Sequence, residues 1–185
     1  MTLPEQLLEL HSSLSARRIP HAFGGAIALA YWTLDPRGTS DIDLNVFVAA
    51  QRSRRVLSAL PASVQIPPTA EPTIAAEGQI RLWWDQTPID LFFDYAPIHG
   101  DAARHRKQVE FAGQRIPILG PVELAVFKVM FDRTRDWADI EAMLEAETLD
   151  ANAVRKALLR MLDAGDPRLA RLRGTLARSS RPRPA

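Results

Sequence analysis

The sequence predicts an α+β fold: a mixed β-sheet flanked by helices, with a C-terminal part that is helical. Three observations carry this. Short apolar runs with turn residues between them, 80–84 against 89–93 and 109–111 against 115–118, have the look of antiparallel hairpins. Helical patterns stand before and between the strands. From Pro121 onward the pattern is helical alone. The implied organisation is an α/β core over 1–119, a helical part over 120–178, and a disordered tail over 179–185.

In chain order, Leu3, Leu7, Leu8 and Leu14 fall at helical spacing and give an amphipathic helix ending near Arg17 and Arg18. Residues 19–23 form a short strand, with Pro20 tolerated at its start, and Gly24-Gly25 makes the turn out of it. The small and apolar side chains of 26–32 suit a helix packed closely on a sheet. Asp35-Pro36-Arg37-Gly38 is a loop. Residues 41–48 alternate, with Asp41, Asp43 and Asn45 against Ile42, Leu44 and Val46, as a half-buried strand does. A helix over 51–60 keeps Arg52, Arg54 and Arg55 outside, and the proline-rich 61–72 is an irregular connector. The two hairpins turn at Asp85-Gln86-Thr87-Pro88 and at Gly113-Gln114. Pro121 opens a helix to about Phe131, and a second covers 137–147. Asp150 caps a third through Leu162, and Asp166-Pro167 opens an arginine-rich last helix ending near Arg178.

Composition narrows the chemistry. The chain has 185 residues, 46% of them apolar and 24% charged, with a net charge of +1, all ordinary for a soluble globular domain. A charge so near zero does not by itself predict nucleic-acid binding. With no cysteine, disulfides and thiolate metal sites are excluded. The four histidines are scattered, so a metal falls to carboxylate oxygens, which suit Mg²⁺ or Mn²⁺. The N-terminus carries Glu5 and no apolar core, unlike a signal peptide. The apolar stretch 23–32 is too short to span a bilayer. A cytoplasmic protein with no membrane partner is expected.

The chemistry-bearing residues are few. Gly24 and Gly25 let backbone N–H groups approach a phosphate at the positive end of the following helix; a tight strand-to-helix turn explains them equally well. Asp41 and Asp43, two apart on a strand, share a face, and their mutual repulsion favours a cation between them; a solvated strand face is the alternative. Asp90 interrupts an apolar strand, where a lone carboxylate is costly unless paired or coordinated, although it also suits a hairpin cap. If the two strands are neighbours, the three carboxylates converge on a divalent metal. Lys128 sits in a helix that is apolar all round, so it asks for an anion such as a triphosphate or Asp90, unless it snorkels. Asp136 suits a helix N-cap, and Asp139 a surface or outer position. Arg104, His105, Arg106 and Lys107, with Arg52, Arg54 and Arg55, offer a basic rim for a nucleic-acid backbone, or a solvated charged face. Of Trp83 and Trp84, one is core and the other is free to stack on a base.

Phe23-Gly24-Gly25, then Arg37-Gly38-Thr39-Ser40-Asp41-Ile42-Asp43-Leu44, then Ile89-Asp90-Leu91 resembles the DNA polymerase β-like nucleotidyltransferase superfamily. Within it the likeness is to the AbiEii/MenT class of toxins from toxin–antitoxin systems, which carry a lysine on a helix after the sheet and then an aspartate. Lys128 and Asp136 fit those positions. Two features depart from the pattern: the spacer of 15 residues between Gly25 and Asp41 is slightly long, and the serine often second in the glycine motif is missing.

The resemblance implies a magnesium-dependent nucleotidyltransferase that moves a nucleoside monophosphate from an NTP to the 3′ end of a tRNA, with an antitoxin protein as partner. Asp41, Asp43 and Asp90 would be both catalytic and metal-holding. Gly24, Gly25, Thr39, Ser40, Lys128 and Asp136 would bind nucleotide. Arg37, Arg104, Arg106 and Lys107 would touch the acceptor. A rival of the same fold acts on a small molecule such as an aminoglycoside or lincosamide. A second rival is a non-catalytic nucleotide-binding or interaction module.

Overall fold

The structure is a computed structural model that describes residues 1–36 and 38–179. Arg37 and residues 180–185 lie outside the described residues; of the tail expected to be disordered over 179–185, Ser179 is described and is helical. Among the described residues the strands are β1 (His21–Phe23), β2 (Ile42–Ala49), β3 (Val64–Gln65), β4 (Gln79–Trp84), β5 (Thr87–Asp94), β6 (Lys107–Phe111) and β7 (Gln114–Ile118). The helices are α1 (Leu3–Ala16), α2 (Gly25–Thr33), α3 (Ser53–Leu57), α4 (Ala70–Glu77), α5 (Pro97–His105), α6 (Pro121–Phe131), α7 (Thr134–Glu145), α8 (Ala151–Leu158) and α9 (Pro167–Ser179). The chain divides into two compact units. One is Met1–Ile27 with Gly38–Leu119; the other begins at Ala28 and resumes at Gly120. Most of α2, which the sequence places with the first unit, therefore clusters with the second.

The first unit holds one mixed sheet in the order β3-β4-β5-β2-β1-β7-β6. Four pairs are antiparallel, while β2–β5 and β1–β7 are parallel. The hairpin β4–β5 closes through a two-residue turn in which Asp85 takes a left-handed φ of 53°. That turn fixes the register: Trp84 pairs with Thr87, so Arg81 pairs with Asp90. One face is the core, where Ile42, Leu44 and Val46 of β2 lie buried with Ile89, Leu91 and Phe93 of β5 and with Leu82 and Trp84 of β4. Helix α1 buries Leu7, Leu10 and Leu14, each worth about 1.5–3 kcal/mol of transfer free energy. Gln6 on the same helix donates from Nε2 to the Trp84 carbonyl at 3.4 Å.

Several expectations change. Residues 51–60 are a 3-10 turn and the short α3 rather than one helix. The connector over 61–72 contains β3 and the start of α4. Helix α5, opened by Pro97, was not anticipated. The strand expected over 41–48 alternates between buried and more exposed residues as expected, but it begins at Ile42, after Asp41, and its polar Asn45 is 3% exposed.

His21 on β1 is also buried. Its Nδ1 donates to the Ile19 carbonyl at 2.8 Å, leaving Nε2 to accept from His11 Nδ1 at 2.9 Å. Burial holds its pKa down at about 4, with the charges of His11 and Arg106 adding to the effect.

In the second unit α6 packs on α7, α8 and α9. Asp150 caps α8 as expected, accepting from the backbone N–H groups of Asn152 and Ala153. Trp137 donates from Nε1 to Asp132 Oδ1 at 2.7 Å while the Arg171 guanidinium lies over its ring. Thr148 donates to the Trp32 carbonyl at 2.6 Å, tying down the end of α2.

Candidate active site

The non-core face of the sheet carries the polar residues in rows set by register. Asp43 on β2 stands beside Asp90 on β5, which stands beside Arg81 on β4. The next row is Asn45, Phe92 and Gln79. On the other side, Pro88 pairs with Trp83, level with the end of β2 that Asp41 leads into. Parallel pairing of β2 and β5 is what brings two carboxylates from opposite halves of the unit to one spot, since residues in register on one face stand as close neighbours.

The turn between β1 and α2 presses against this row. The Gly24 N–H donates to the Asp43 carbonyl at 2.8 Å. Gly25 has a φ of +50°, and a Cβ there would lie 1.7 Å from Asp43 Oδ2. Gly24 is tight as well: a Cβ would meet Asn45 Nδ2 at 3.0 Å and Leu119 Cδ1 at 3.1 Å. The glycines are required by this approach of backbone to carboxylate. Thr39 donates from Oγ1 to Asp41 Oδ1 at 2.5 Å, holding the carboxylate that precedes β2. Ser40 is exposed.

Sequence reasoning missed Arg81. Its Nε and Nη2 donate to Asp90 Oδ1 and Oδ2, both at 2.7 Å, a bidentate pair that takes up both oxygens. The hydrogen bonds and charge of Asp90 raise the Arg81 pKa above its ordinary value, and the carboxylates of Asp41 and Asp43 add to this. Asp90 is therefore neither a bare buried charge nor a hairpin cap. The signal was present in the chain, because a two-residue turn at Asp85-Gln86 pairs Arg81 with Asp90 by counting outward.

Asp41, Asp43 and Asp90 offer the carboxylate oxygens that a hard divalent cation takes, and Asp90 already binds one cation, Arg81. As arranged, no group of three or more such ligands among the described residues is gathered around a common point, and Asp90 is occupied by Arg81.

Lys128 and Asp136 lie in the second unit, in a buried ion network. Lys128 Nζ donates to Asp139 Oδ2 at 2.5 Å and sits 3.7 Å from Asp136 Oδ1. Asp136 is also bound by the Arg133 side chain and accepts from the Arg133 N–H at 3.2 Å, as a residue in a helix-start capping box does. Asp139, expected at the surface, is 3% exposed. Lys128 does not snorkel; carboxylates of α7 meet its charge. Arg104 pairs with Asp101, and Arg106 donates to the Ala103 carbonyl and lies over the Phe47 ring. Lys107 and His105 are exposed. Arg54 pairs with Glu71, and Arg55 donates to the carbonyls of Arg17 and Arg18 just past α1. Trp84 is the core indole at 1% exposure and Trp83 the outward one at 44%, on the same side of β4 as Arg81.

No family model and no curated protein matches the sequence. Solved structures share its fold. ANT(2'')-Ia in complex with adenylyl-2''-tobramycin is similar over 95% of this chain and 99% of that one, with a TM-score of 0.61 at 13% identity. An antigenic nucleotidyltransferase-like protein from Paracoccidioides brasiliensis is similar over 95% of this chain and 88% of its own, with a TM-score of 0.57 at 15% identity. The chain has the fold of these nucleotidyltransferases, a mixed α+β architecture.

Proposed function

We propose that the protein is a nucleotidyltransferase that moves a nucleoside monophosphate from an NTP to an acceptor hydroxyl in the cytoplasm. The observation that carries it is the row Asp43–Asp90 lying under the Gly24-Gly25 turn. Carboxylates for a cation and backbone donors for a phosphate thus share one face, and the similar folds, both of proteins associated with nucleotidyl chemistry, support it.

Asp41, Asp43 and Asp90 would hold Mg²⁺ or Mn²⁺, which when bound neutralises phosphate charge and makes a hydroxyl more acidic. The chain's own groups do the rest. N–H groups at the start of α2 receive phosphate oxygens. Thr39 keeps Asp41 Oδ1 oriented, and Asp90 takes the proton of the attacking hydroxyl. The acceptor oxygen bonds to the α-phosphorus as the bond to pyrophosphate breaks, with attacking and leaving oxygens in line. Lys128 and Asp136 serve the nucleotide by resemblance alone, and in the structure they satisfy one another's unit first.

The resemblance to the AbiEii/MenT class supports the tRNA 3′ end as acceptor, with Arg104, Arg106 and Lys107 touching its backbone and an antitoxin as partner. A small-molecule acceptor is the second reading. It is favoured by the internal pairing of Arg54 and Arg104 and by the adenylylated tobramycin in a protein of similar fold. The test is incubation of the pure protein with each α-labelled NTP, Mg²⁺, and either total tRNA or tobramycin. Label on tRNA, with binding that weakens steeply as salt rises, supports the first acceptor. Label on tobramycin alone transfers the role to the second, and label on neither contradicts the activity.

A further inference from the structure

Arg81 is more than half exposed at its side chain while Asp90 is mostly covered, so the guanidinium reaches in from solvent to close the end of the carboxylate row. Its neighbours along that side of β4 are the partly exposed Gln79 and the exposed Trp83, neither of which is buried against it. The arginine therefore has room to leave without repacking the core, which lies on the opposite face with Leu82 and Trp84. The carboxylate that Arg81 binds through both of its oxygens, Asp90, stands in register beside Asp43, in the row proposed above for a divalent cation.

We infer that Arg81 is the built-in counter-cation of this site: it holds Asp90 in the cation-free protein and gives it up when a divalent cation enters. The inference rests on the reading of the three aspartates as a divalent-cation site. Two like charges compete for one carboxylate, and the repulsion between a guanidinium and a divalent ion a few ångströms apart favours exchange over sharing. Three carboxylates on one face without a counter-charge would repel each other, and the bidentate pair removes that cost until a cation is bound. Arg81 is thus a positioning residue, one that acts through Asp90 and sets how tightly the site takes a metal.

The experiment is Mn²⁺ binding, followed by electron paramagnetic resonance without nucleotide, in wild type, Arg81→Gln and Arg81→Lys. Removing the charge should tighten Mn²⁺ binding by roughly tenfold. Arg81→Lys, which keeps the charge, should stay near wild type. In the wild-type protein, the Arg81 Nε–H resonance, identified by its loss in Arg81→Lys, should be protected without metal and lose that protection as Mg²⁺ saturates. Arg81→Gln binding Mn²⁺ no better than wild type overturns the inference and leaves the aspartate site standing. So does an Nε–H that stays protected at saturation. Absence of Mn²⁺ binding in all three proteins overturns the aspartate site and the inference with it.

Discussion

The Asp43 carboxylate fills the space that any side chain on Gly25 would need, 1.7 Å from an added Cβ. A glycine and an aspartate 18 positions apart are thereby coupled: the side chain of Asp43 takes this place because residue 25 carries none.

Gly25→Ala should lose stability on two grounds. The φ of +50° costs an alanine about 1–2 kcal/mol, and the new methyl must push Asp43 aside. Gly24→Ala, whose nearest contacts are side-chain atoms at 3.0 and 3.1 Å, should cost less. Urea midpoints of the two variants check the order. A Gly25→Ala protein as stable as wild type would mean that the turn is looser than its geometry indicates.

Lys128→Met should be strongly destabilising, by about 3–5 kcal/mol, because it leaves Asp139 and Asp136 buried with less positive charge. Adding Asp139→Leu should recover much of the loss, since an apolar pair replaces an ionic one. The double-mutant cycle in denaturant measures this. A single variant within about 0.5 kcal/mol of wild type would place the lysine in solvent, as surface changes usually cost no more than that.

Acid should weaken the first unit through His21. Its pKa is about 4 in the fold against an ordinary 6.5, so below pH 6.5 the unfolded chain binds a proton that the folded one refuses. The stabilisation is complete above pH 6.5 and is lost as pH falls toward 4, up to about 3 kcal/mol in all. Urea unfolding across that range should show a pH slope in wild type that is reduced in His21→Leu. An equal slope in both would assign the acid sensitivity to other groups.

Much of this was legible in the chain. Pro121 opens α6 where proline suits a first helical turn, and the alternation around Asp41 and Asp43 marks β2. The three aspartates could be singled out because a carboxylate in an apolar strand needs a reason. What failed was non-local. The parallel pairing of β2 with β5 is set by packing across the sheet, so the Asp43–Asp90 row was conditional until the fold was known. Helix α4 was hidden by the prolines before and within it, although proline is tolerated in a first turn. A four-residue loop over 85–88 gives Arg81 no partner; the two-residue turn of the structure extends β5 to Thr87 and sets the arginine opposite Asp90. Lys128 did demand an anion, yet Asp139 supplies it from a helix whose facing side the sequence alone did not reveal.

The most direct measurement is acceptor-dependent pyrophosphate release in a single turnover, comparing wild type with Asp43→Asn at saturating Mg²⁺. Asn keeps the size of the side chain beneath Gly25 while removing its charge, so the fold should hold, as a circular dichroism melt would verify. The account predicts release in wild type and a fall of at least about a hundredfold in the variant, the scale of about 2.7 kcal/mol of lost transition-state stabilisation. Release within a factor of about two of wild type, or none from wild type with any NTP and either acceptor, would contradict it.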